Sequence, residues 1–272
     1  ALASGFSSEI GLDSISRNKN TVYLSDNTDI IELLPYSLST IESSTASFSD
    51  ISNAASWNSI DANAINLGIT PSSLWITTSI NSKNIHNQPQ FYLRFSNPEL
   101  SDIKVYQDKK LISESGQQQD FNTRDVYLPE FVVPVTFKNN DTTTLTIRIT
   151  SSGSLRTSVT LHSGLHLFSI QNTQSLVIGG YYGLASLLCL LFFGFYIFSK
   201  EKIYFWVSAS LASLIILQLN IDGFLYQYAY QEHPTWFSSF LLIPTIIAYI
   251  TTFLVAIDFF YLKEKNRSMF TL

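Results

Sequence analysis

The chain has 272 residues, and only 14% of them are charged, against roughly 25% in soluble domains. Its net charge of −5 and its pI near 5.3, without a basic patch, exclude nucleic acid as a partner. The lone cysteine, Cys189, excludes an intrachain disulfide. Residues 1–172 are rich in Ser, Asn, Thr and Asp, whereas apolar residues dominate from Gln174 onward. The composition therefore predicts a soluble part followed by a membrane part.

The chain begins with the small residues "ALASGFSS", which are typical of the end of a secretory signal peptide. We therefore interpret residues 1–19 as the mature N-terminal tail of an exported protein. The segment "TDIIELLPYSLSTIESS" that follows is compatible with a short helix or with an edge strand followed by loops. These two alternatives stay open at the level of the sequence.

Residues 20–170 contain short segments in which β-branched and aromatic residues alternate or cluster between Asn, Asp, Pro, Ser and Gly. The segments are "SLWITTSIN", "QFYLRFSN", "DIKVYQD", "RDVYLPEFVVPVTF", "TLTIRITS" and "LRTSVTLHS". Because no helical pattern separates these segments, they predict an all-β sandwich. About 150 residues are enough for such a sandwich to build a core without disulfides.

The region 171–265 contains three apolar segments that predict transmembrane helices. They cover about 176–198, 203–221 and 236–260. The first would be about 35 Å long as a helix, which is enough to cross the hydrocarbon core of a bilayer. We expect a kink at Pro244 in the third segment, where neighbouring helices can satisfy the freed backbone. Too little soluble chain remains to bury three such helices inside a soluble protein.

The lysines and arginines near these segments predict their orientation. The link after the first segment and the final tail, residues 263–272, contain Lys200, Lys202, Lys263, Lys265 and Arg267, whereas the link 222–235 contains neither residue type. By the positive-inside rule, residues 1–172 lie outside and the tail begins a cytoplasmic segment. Aromatic residues around the outer link predict an interfacial belt, formed by Tyr226, Tyr228, Tyr230 and Trp236.

The order of several stretches resembles a known family. These stretches are "LGITPSSLWITTSIN", "FSNPELSDIKVYQD", Arg124, "LTIRITSSGSLRTSVTL" and "GGYYGLASLLCLLFFGFYIFSKEKIYFWVSASLASLIILQLNIDGFLYQY". Together they are similar to the bacterial seven-transmembrane receptors with diverse intracellular signalling modules. The resemblance implies a periplasmic jelly-roll sensor, seven helices in the bacterial inner membrane and a cytoplasmic output. Thr77 stands where the family often has an arginine two residues after the tryptophan.

The resemblance gives the expected fold class. It is an all-β, jelly-roll-like periplasmic sandwich followed by an α-helical transmembrane bundle that is truncated after three of seven helices. The resemblance also implies that the sandwich binds a carbohydrate or another small ligand. A second copy of the chain is an expected partner in a homodimer, and the lipid bilayer surrounds the helices. The sequence predicts neither a cofactor nor a metal site.

Six polar or aromatic residues of the predicted sandwich are candidate ligand contacts: Trp75, Arg94, Asn97, Asp102, Arg124 and Arg148. An aromatic ring can stack on a sugar face, but Trp75 can equally belong to the core. Asn97 and Asp102 can bind hydroxyl groups or stabilise their own turn. The planar guanidinium of an arginine suits a carboxylate or an acidic sugar, and it can equally form an internal salt bridge to Asp102, Asp125 or Glu99.

Two histidines, His162 and His166, are four residues apart, but strand-like neighbours and the lack of a third ligand argue against a zinc site. The sequence lacks the common phosphate-loop, hydrolase and metalloprotease motifs. We therefore expect a non-catalytic sensor that transmits ligand binding through the helices to an output beyond this chain. A membrane-anchored periplasmic enzyme acting on a glycan is the alternative, and a transport or assembly subunit is a third hypothesis.

Two features near the membrane surface bear on signal transmission. The join "HLFSIQNTQSL" lacks Gly and Pro, which predicts a stiff connection between the sandwich and the first helix. Gly179 and Gly183 form a G-x-x-x-G pair, which predicts close packing against another helix. The alternative is ordinary glycine use in a membrane helix, with the neighbouring tyrosines at the interface.

Overall fold

A computed structural model describes residues 21–54, 56–84 and 90–265. The predicted tail 1–19 and Arg267 therefore lie outside the described residues. The described chain forms a β-sandwich, followed by three long apolar helices, as the sequence predicted.

The sandwich is built from two antiparallel-rich sheets and a small two-stranded ribbon. The first sheet contains β1 (Thr21–Ser25), β3 (Leu38–Glu42), β4 (Asn58–Ser59), β6 (Ser73–Asn84), β8 (Asp102–Gln107), β9 (Lys110–Ser115) and β11 (Thr142–Thr150). The second sheet contains β2 (Ile30–Glu32), β7 (Phe91–Phe95), β10 (Phe131–Val135) and β13 (Val159–Ser163). The ribbon pairs β5 (Ile65–Ile69) with β12 (Ser154–Thr157).

The two sheets differ in the order of their strands. The first sheet runs β4-β3-β6-β11-β8-β9, with β1 parallel to the second half of β6. The second sheet runs β10-β7-β13-β2. Apart from the β8–β9 hairpin, most neighbouring strands are distant in sequence, so the sandwich depends on long-range contacts.

Alternation along the strands places one face of each sheet in a common core. In β7, Phe91, Leu93 and Phe95 are buried, and in β8 the same holds for Ile103 and Val105. These side chains belong to one continuous apolar cluster. Burial of this apolar surface is the main source of stability for the sandwich. The intervening positions point away from the core and carry the polar candidates.

The helices are α1 (Phe48–Ala54), α2 (Gly164–Ser199), α3 (Lys202–Ile221), α4 (Phe224–Tyr228) and α5 (Trp236–Lys265). Of these, α2, α3 and α5 are long and apolar enough to cross a membrane. The helix α2 begins directly after β13, twelve residues before the apolar segment that the sequence predicted. The hydroxyl of Ser163 accepts a hydrogen bond from the His166 backbone N–H at 3.4 Å and starts this helix.

Every strand segment that the sequence predicted contains a strand of the structure. The ambiguous segment after the tail holds β2, a 3₁₀ turn at Leu34–Tyr36 and β3, so both of its open alternatives occur in part. The helix α5 continues through Pro244. The elements β1, β4, β5, β9, α1 and α4 were not predicted.

Candidate functional site

The outer face of the first sheet carries a cluster of charged side chains. Arg148 on β11 donates from Nη1 to Asp102 Oδ2 on β8 at 2.6 Å, and its Nη2 donates to the carbonyl oxygen of Ser44. Lys104 on β8 pairs with Glu114 on β9, with 2.8 Å between Nζ and Oε1. These four charged side chains line a cavity of about 420 Å³, which we call the outer-face cleft.

The electrostatics of the outer-face cleft are balanced. Burial raises the pKa of the Asp102 carboxyl, although the charges of Lys104 and Arg148 oppose this shift. The hydrogen bond to Glu114 raises the pKa of Lys104. Arg148 Nε is buried and finds no hydrogen-bond partner among the described residues. Two positive and two negative groups suit a neutral or zwitterionic ligand better than a strongly charged one.

Trp75 lies on the same outer face of the first sheet but is fully buried. Phe48 of α1 packs near its ring, with the centroids 6.4 Å apart, and Tyr106 stacks beside it at 6.1 Å. Its Nε1 donates to the Ser73 hydroxyl at 3.0 Å. The structure therefore places Trp75 in the packing around α1, away from the main core and from solvent.

Asn97 holds a turn together in this structure. Its Nδ2 donates to the carbonyl oxygen of Arg156 at 2.9 Å, and its Oδ1 accepts from the Glu99 backbone N–H at 2.9 Å. Both ends of the amide are therefore engaged with backbone groups. This arrangement matches the turn-stabilising alternative, and the ligand role of Asn97 stays a prediction.

Arg94 connects the second sheet to the first membrane helix. It lies on the outward face of β7 and forms a two-pronged ion pair with Glu130, with 2.7 Å between Nη2 and Oε1. The same Nη2 donates to Gln174 Oε1 on α2 at 3.4 Å. The pairing partner, Glu130, was not among the predicted salt-bridge partners. A bidentate pair of this kind fixes the orientation of the guanidinium that reaches α2.

Arg124 lies at the membrane-facing end of the sandwich, where its guanidinium is enclosed by aromatic rings. The Cζ atom lies 4.3 Å from the ring centroid of Phe121, 4.2 Å from that of Phe131 and 5.4 Å from that of Tyr226. Its Nη1 donates to the carbonyl oxygens of Leu128 and Pro129 at 2.9 and 2.7 Å. Burial lowers the pKa of Arg124 to about 10, so it stays charged at neutral pH.

The link between α3 and α5 packs on this end of the sandwich. Tyr127 Oη donates to the carbonyl oxygen of Gln227 at 3.0 Å, and Gln231 Nε2 donates to Tyr127 Oη at 2.6 Å. The Phe121 backbone N–H donates to the carbonyl oxygen of Gln231 at 3.0 Å. We call this contact the sandwich–helix junction; its members are Phe121, Arg124, Tyr127, Tyr226, Gln227, Tyr230 and Gln231.

The turn into α4 brings the backbone of the link close to the sandwich. Gly223 has a φ of 81°, and an added Cβ would lie 3.2 Å from Pro129 Cβ. A side chain at this position would be strained by the backbone conformation and crowded by Pro129. The glycine therefore permits the close approach on which the sandwich–helix junction depends.

The predicted aromatic belt of the outer link is only partly present. Tyr226 and Tyr230 are each 2% exposed and pack with Phe121 in one cluster, whereas Tyr228 and Trp236 remain exposed. Burial raises the pKa of Tyr226 to about 12, and its hydroxyl donates to the carbonyl oxygen of Gln119. Two of the four predicted belt residues thus face the sandwich, because it covers this end of the helices.

The glycine pair of α2 does not face α3. The face of α2 that packs on α3 includes Tyr182, whose hydroxyl donates to Asp222 at 2.6 Å, and Cys189, which lies against Ser208. An added Cβ at Gly179 or Gly183 would meet no described atom within 4 Å. Packing of another helix against this pair stays a prediction.

The two predicted histidines stack on each other at the start of α2. The ring centroids of His162 and His166 are 5.6 Å apart, and His162 Nε2 lies 2.8 Å from the Thr160 hydroxyl. Burial lowers the pKa of His162 to about 4, with further contributions from Arg94 and His166. Among the described residues, no group of three metal-ligating side chains is present.

The structure thus divides the six candidate residues among three places. Asp102 and Arg148 meet in the outer-face cleft, and Trp75 is packed nearby. Arg94 and Arg124 lie beside the membrane helices, and Asn97 holds a turn. Sequence reasoning missed Lys104, although its period-two spacing from Asp102 placed both on one strand face. It also missed Tyr127 and Gln227, which lie 100 residues apart and carry no local signal.

These features define a membrane protein in which an extracellular β-sandwich packs directly on helices that span the bilayer. Two family models match the chain in this order. The model described as 7TMR-DISM extracellular 2 matches residues 36–163, and the model described as 7TM diverse intracellular signalling matches residues 174–272. The chain belongs to the family of seven-transmembrane receptors with diverse intracellular signalling.

Similar solved structures include carbohydrate-active proteins. A β-glucosidase from Kluyveromyces marxianus in complex with glucose is 12% identical, with a TM-score of 0.34, over 52% of this chain and 17% of that chain. A family 35 carbohydrate-binding module from Clostridium thermocellum is 8% identical, with a TM-score of 0.24, over 50% of this chain and 97% of the module. At these scores the similarities carry no argument about function. Among curated proteins, no match was found.

Proposed function

We propose that the sandwich is the periplasmic sensor of a receptor in the bacterial inner membrane. It binds a small polar ligand such as a carbohydrate in the outer-face cleft and transmits the change to the helices. The observation that carries this proposal is the sandwich–helix junction, in which backbone and side-chain hydrogen bonds join Phe121 and Tyr127 to Gln227 and Gln231. A sensor held this closely can bias the arrangement of the helices.

The outer-face cleft supports the ligand part of the proposal. It offers the charged groups of Asp102, Lys104, Glu114 and Arg148 together with hydroxyl groups of the surrounding loops. Such mixed donors and acceptors suit a hydroxyl-rich ligand, which both accepts and donates hydrogen bonds.

Two connections support the transmission part. The helix α2 follows β13 without a loop, and Arg94 links β7 to Gln174 on α2. The sandwich–helix junction forms the second connection, to the link between α3 and α5. A ligand changes the helices only if it binds one arrangement of the sandwich and helices more tightly than another.

The arrangement also supports the proposed orientation. The link 222–235 contacts the sandwich, so both lie on the same side of the membrane. Lys200 and Lys202 lie at the other end of α2, about 54 Å away for its full helical length. By the positive-inside rule this end is cytoplasmic, and so is the C-terminal end of α5.

Ligand binding is tested with the full chain in detergent and a panel of mono- and oligosaccharides, in which both bound and cleaved sugar are measured. We expect binding without cleavage, and a loss of at least about tenfold in affinity for Arg148→Met, because charged hydrogen bonds contribute about 1.5–3 kcal/mol. Lys110→Met, an exposed lysine outside the cleft, is the control. Cleavage that is abolished by Asp102→Asn or Glu114→Gln would instead establish a glycan-acting enzyme.

Transmission is tested by inserting four Gly/Ser residues between Ser163 and Gly164. A spin label at Glu232 reports on the link, and we expect its spectrum to respond to the bound sugar only in the chain without the insertion. The insertion should leave sugar affinity unchanged, because it lies outside the outer-face cleft. An equal response in both proteins would contradict rigid coupling through α2.

A further inference from the structure

A second cleft separates the sandwich from the beginning of α5. Its volume is about 570 Å³. The sandwich contributes Glu99, Gln117 and Ser152, and the helix side contributes Thr235, Phe237 and Leu241. We call it the junctional cleft. A molecule bound there would contact the sandwich and a membrane helix at the same time.

The loop carrying Gln117 is held by close backbone contacts. The Gln117 backbone N–H donates to the carbonyl oxygen of Leu100 at 2.8 Å. A Cβ added at Gly116 would lie 2.2 Å from the carbonyl oxygen of Ser101, so only glycine permits this approach. The Ser101 hydroxyl accepts from the Ser152 backbone N–H at 2.7 Å, which joins the next loop to the same support. The sandwich side of the cleft is therefore a fixed framework.

The Gln117 side chain has an unused donor in this framework. The residue is 8% exposed, and its Nε2 finds no hydrogen-bond partner among the described residues. An amide donor that is buried without a partner destabilises the folded state, because its lost hydration is not replaced. Rotation of the Gln117 amide toward the junctional cleft, which this residue lines, would let a ligand oxygen there accept its hydrogen bond.

Glu99 supplies a carboxylate to the same cleft. It is partly buried, and burial raises its pKa because no cation among the described residues offsets the lost hydration. Its backbone N–H is held by Asn97 Oδ1, which fixes the turn that carries it. The two carboxylates of the outer-face cleft, Asp102 and Glu114, already pair with Arg148 and Lys104. Glu99 is thus available to accept hydrogen bonds from a cationic ligand.

We propose that the junctional cleft is a second binding site, for a small primary amine that also carries a hydroxyl or carbonyl oxygen. The ammonium group binds Glu99, the oxygen accepts from Gln117 Nε2, and the carbon skeleton packs on Phe237 and Leu241. Because the site includes both the sandwich and α5, its occupant fixes their relative position. This site adjoins the outer-face cleft, with which it shares Gln118 and Ser152, but its proposed contacts are different and do not depend on the identity of the ligand there.

The probe is serinol, a small amine with two hydroxyl groups, and glycerol is its neutral counterpart. Binding is measured by isothermal titration calorimetry on the full chain in phosphatidylcholine nanodiscs. We expect serinol to bind more tightly than glycerol by at least about tenfold, because its ammonium group adds a hydrogen bond to a charged carboxylate. Equal affinities, or no serinol binding, would overturn the proposal.

Two variants and a control assign the site. Glu99→Gln should reduce serinol affinity by at least about tenfold, and Gln117→Leu should reduce it to a smaller extent because a neutral donor is lost. Glu32→Gln, an exposed carboxylate on β2, is the matched control and should bind as the unaltered chain does. Hydrogen exchange should show serinol protecting both the Gln117 loop and the first turn of α5. Unchanged affinity in Glu99→Gln would overturn the assignment.

A second nanodisc composition separates two sources of the amine. Phosphatidylethanolamine carries a primary ammonium on its headgroup, and the helix side of the cleft lies at the start of a membrane-spanning helix. If phosphatidylethanolamine suppresses serinol binding, the lipid headgroup is the natural occupant; if serinol binds equally, a soluble amine is. Both results support an amine site. If no sugar of the panel binds, only the proposed ligand of the outer-face cleft is contradicted.

Discussion

Three buried or half-buried arginines of the sandwich have three different sets of partners. Arg148 uses a carboxylate in an open cleft, Arg94 uses a carboxylate and an amide on α2, and Arg124 uses carbonyl oxygens and aromatic rings. A guanidinium remains charged at neutral pH. When it is buried or half-buried, it therefore needs hydrogen-bonding or charged partners in place of water. At two of the three positions the partners connect the sandwich to the membrane helices.

Replacement of Arg124 should weaken the sandwich–helix junction even when the positive charge is kept. In Arg124→Lys the charge stays, but the planar stacking on Phe121 and the paired carbonyl bonds are lost. We expect the free energy of unfolding to fall by about 1–3 kcal/mol. Thermal unfolding in detergent measures this change, with the exposed Arg156→Lys as control. Equal melting temperatures for the two variants would contradict the role of Arg124.

Trp75 is predicted to act through packing. Its ring is fully buried, so Trp75→Ala should lower the free energy of unfolding by about 3–5 kcal/mol. Denaturant unfolding of the full chain measures this loss, and Tyr228→Ala, at an exposed aromatic, is the control. A Trp75→Ala protein of unchanged stability that had lost only sugar binding would show that the ring serves the ligand.

His162 should make the stability of the sandwich depend on pH. Its pKa in the folded protein is about 4, below the ordinary value of 6.5, because burial, Arg94 and His166 disfavour the charged form. The unfolded chain then binds a proton more tightly, so the stabilising contribution is fully present above about pH 6.5 and is lost as the pH falls toward 4.

The melting temperature of the full chain between pH 7.5 and 4 tests this linkage. His162→Gln should remove part of the decline below pH 6.5, whereas carboxylates that titrate in the same range affect both proteins equally. Identical pH profiles for the two proteins would contradict a buried neutral histidine at this position.

At the scale of elements, the two faces of α2 have different roles. One face packs on α3 through Tyr182 and Cys189, and the face with Gly179 and Gly183 is open among the described residues. The helix α2 follows β13 of the second sheet without a loop and continues into the membrane. A rotation of that sheet therefore moves a helix that is already packed on its neighbour.

Substitutions on the two faces should differ in effect. Ser208→Leu should disrupt the packing of α2 on α3, because Ser208 is 6% exposed and overpacking costs about 1–3 kcal/mol. Gly183→Leu should leave this packing intact. Thermal unfolding in detergent compares the two variants. A larger loss of stability in Gly183→Leu would show that the glycine face is already occupied within this chain.

The sequence predicted those elements whose signal is local. Period-two alternation identified β7, β8 and β11, and continuous apolar segments identified the membrane helices. The strand β9 was missed because "KLISES" mixes opposite charges and holds only one β-branched residue and no aromatic one, and α1 was missed because seven residues hold too few turns for a helical pattern. The first part of α2 carries polar residues, so hydropathy alone began the helix too late.

At the scale of the whole molecule, the sandwich and the helices act through contacts that connect distant parts of the chain. Tyr127 and Gln227 are 100 residues apart, and Arg94 and Gln174 are 80 apart. Such contacts depend on how two folded parts meet, and no sequence pattern specifies that. This explains why sequence reasoning predicted both parts but not the junction. Arg94 and Arg124 lie where the sandwich meets the helices and the link between them.

The sandwich–helix junction should hold the sandwich in one position over the helices. Spin labels at Lys110 in the sandwich and Leu242 on α5, in a Cys189→Ser background, give a distance distribution by double electron–electron resonance. We predict one narrow distribution for the full chain in nanodiscs and a clearly broader one in Tyr127→Ala. A broad distribution in the protein with Tyr127, or no broadening in the variant, would contradict the claim.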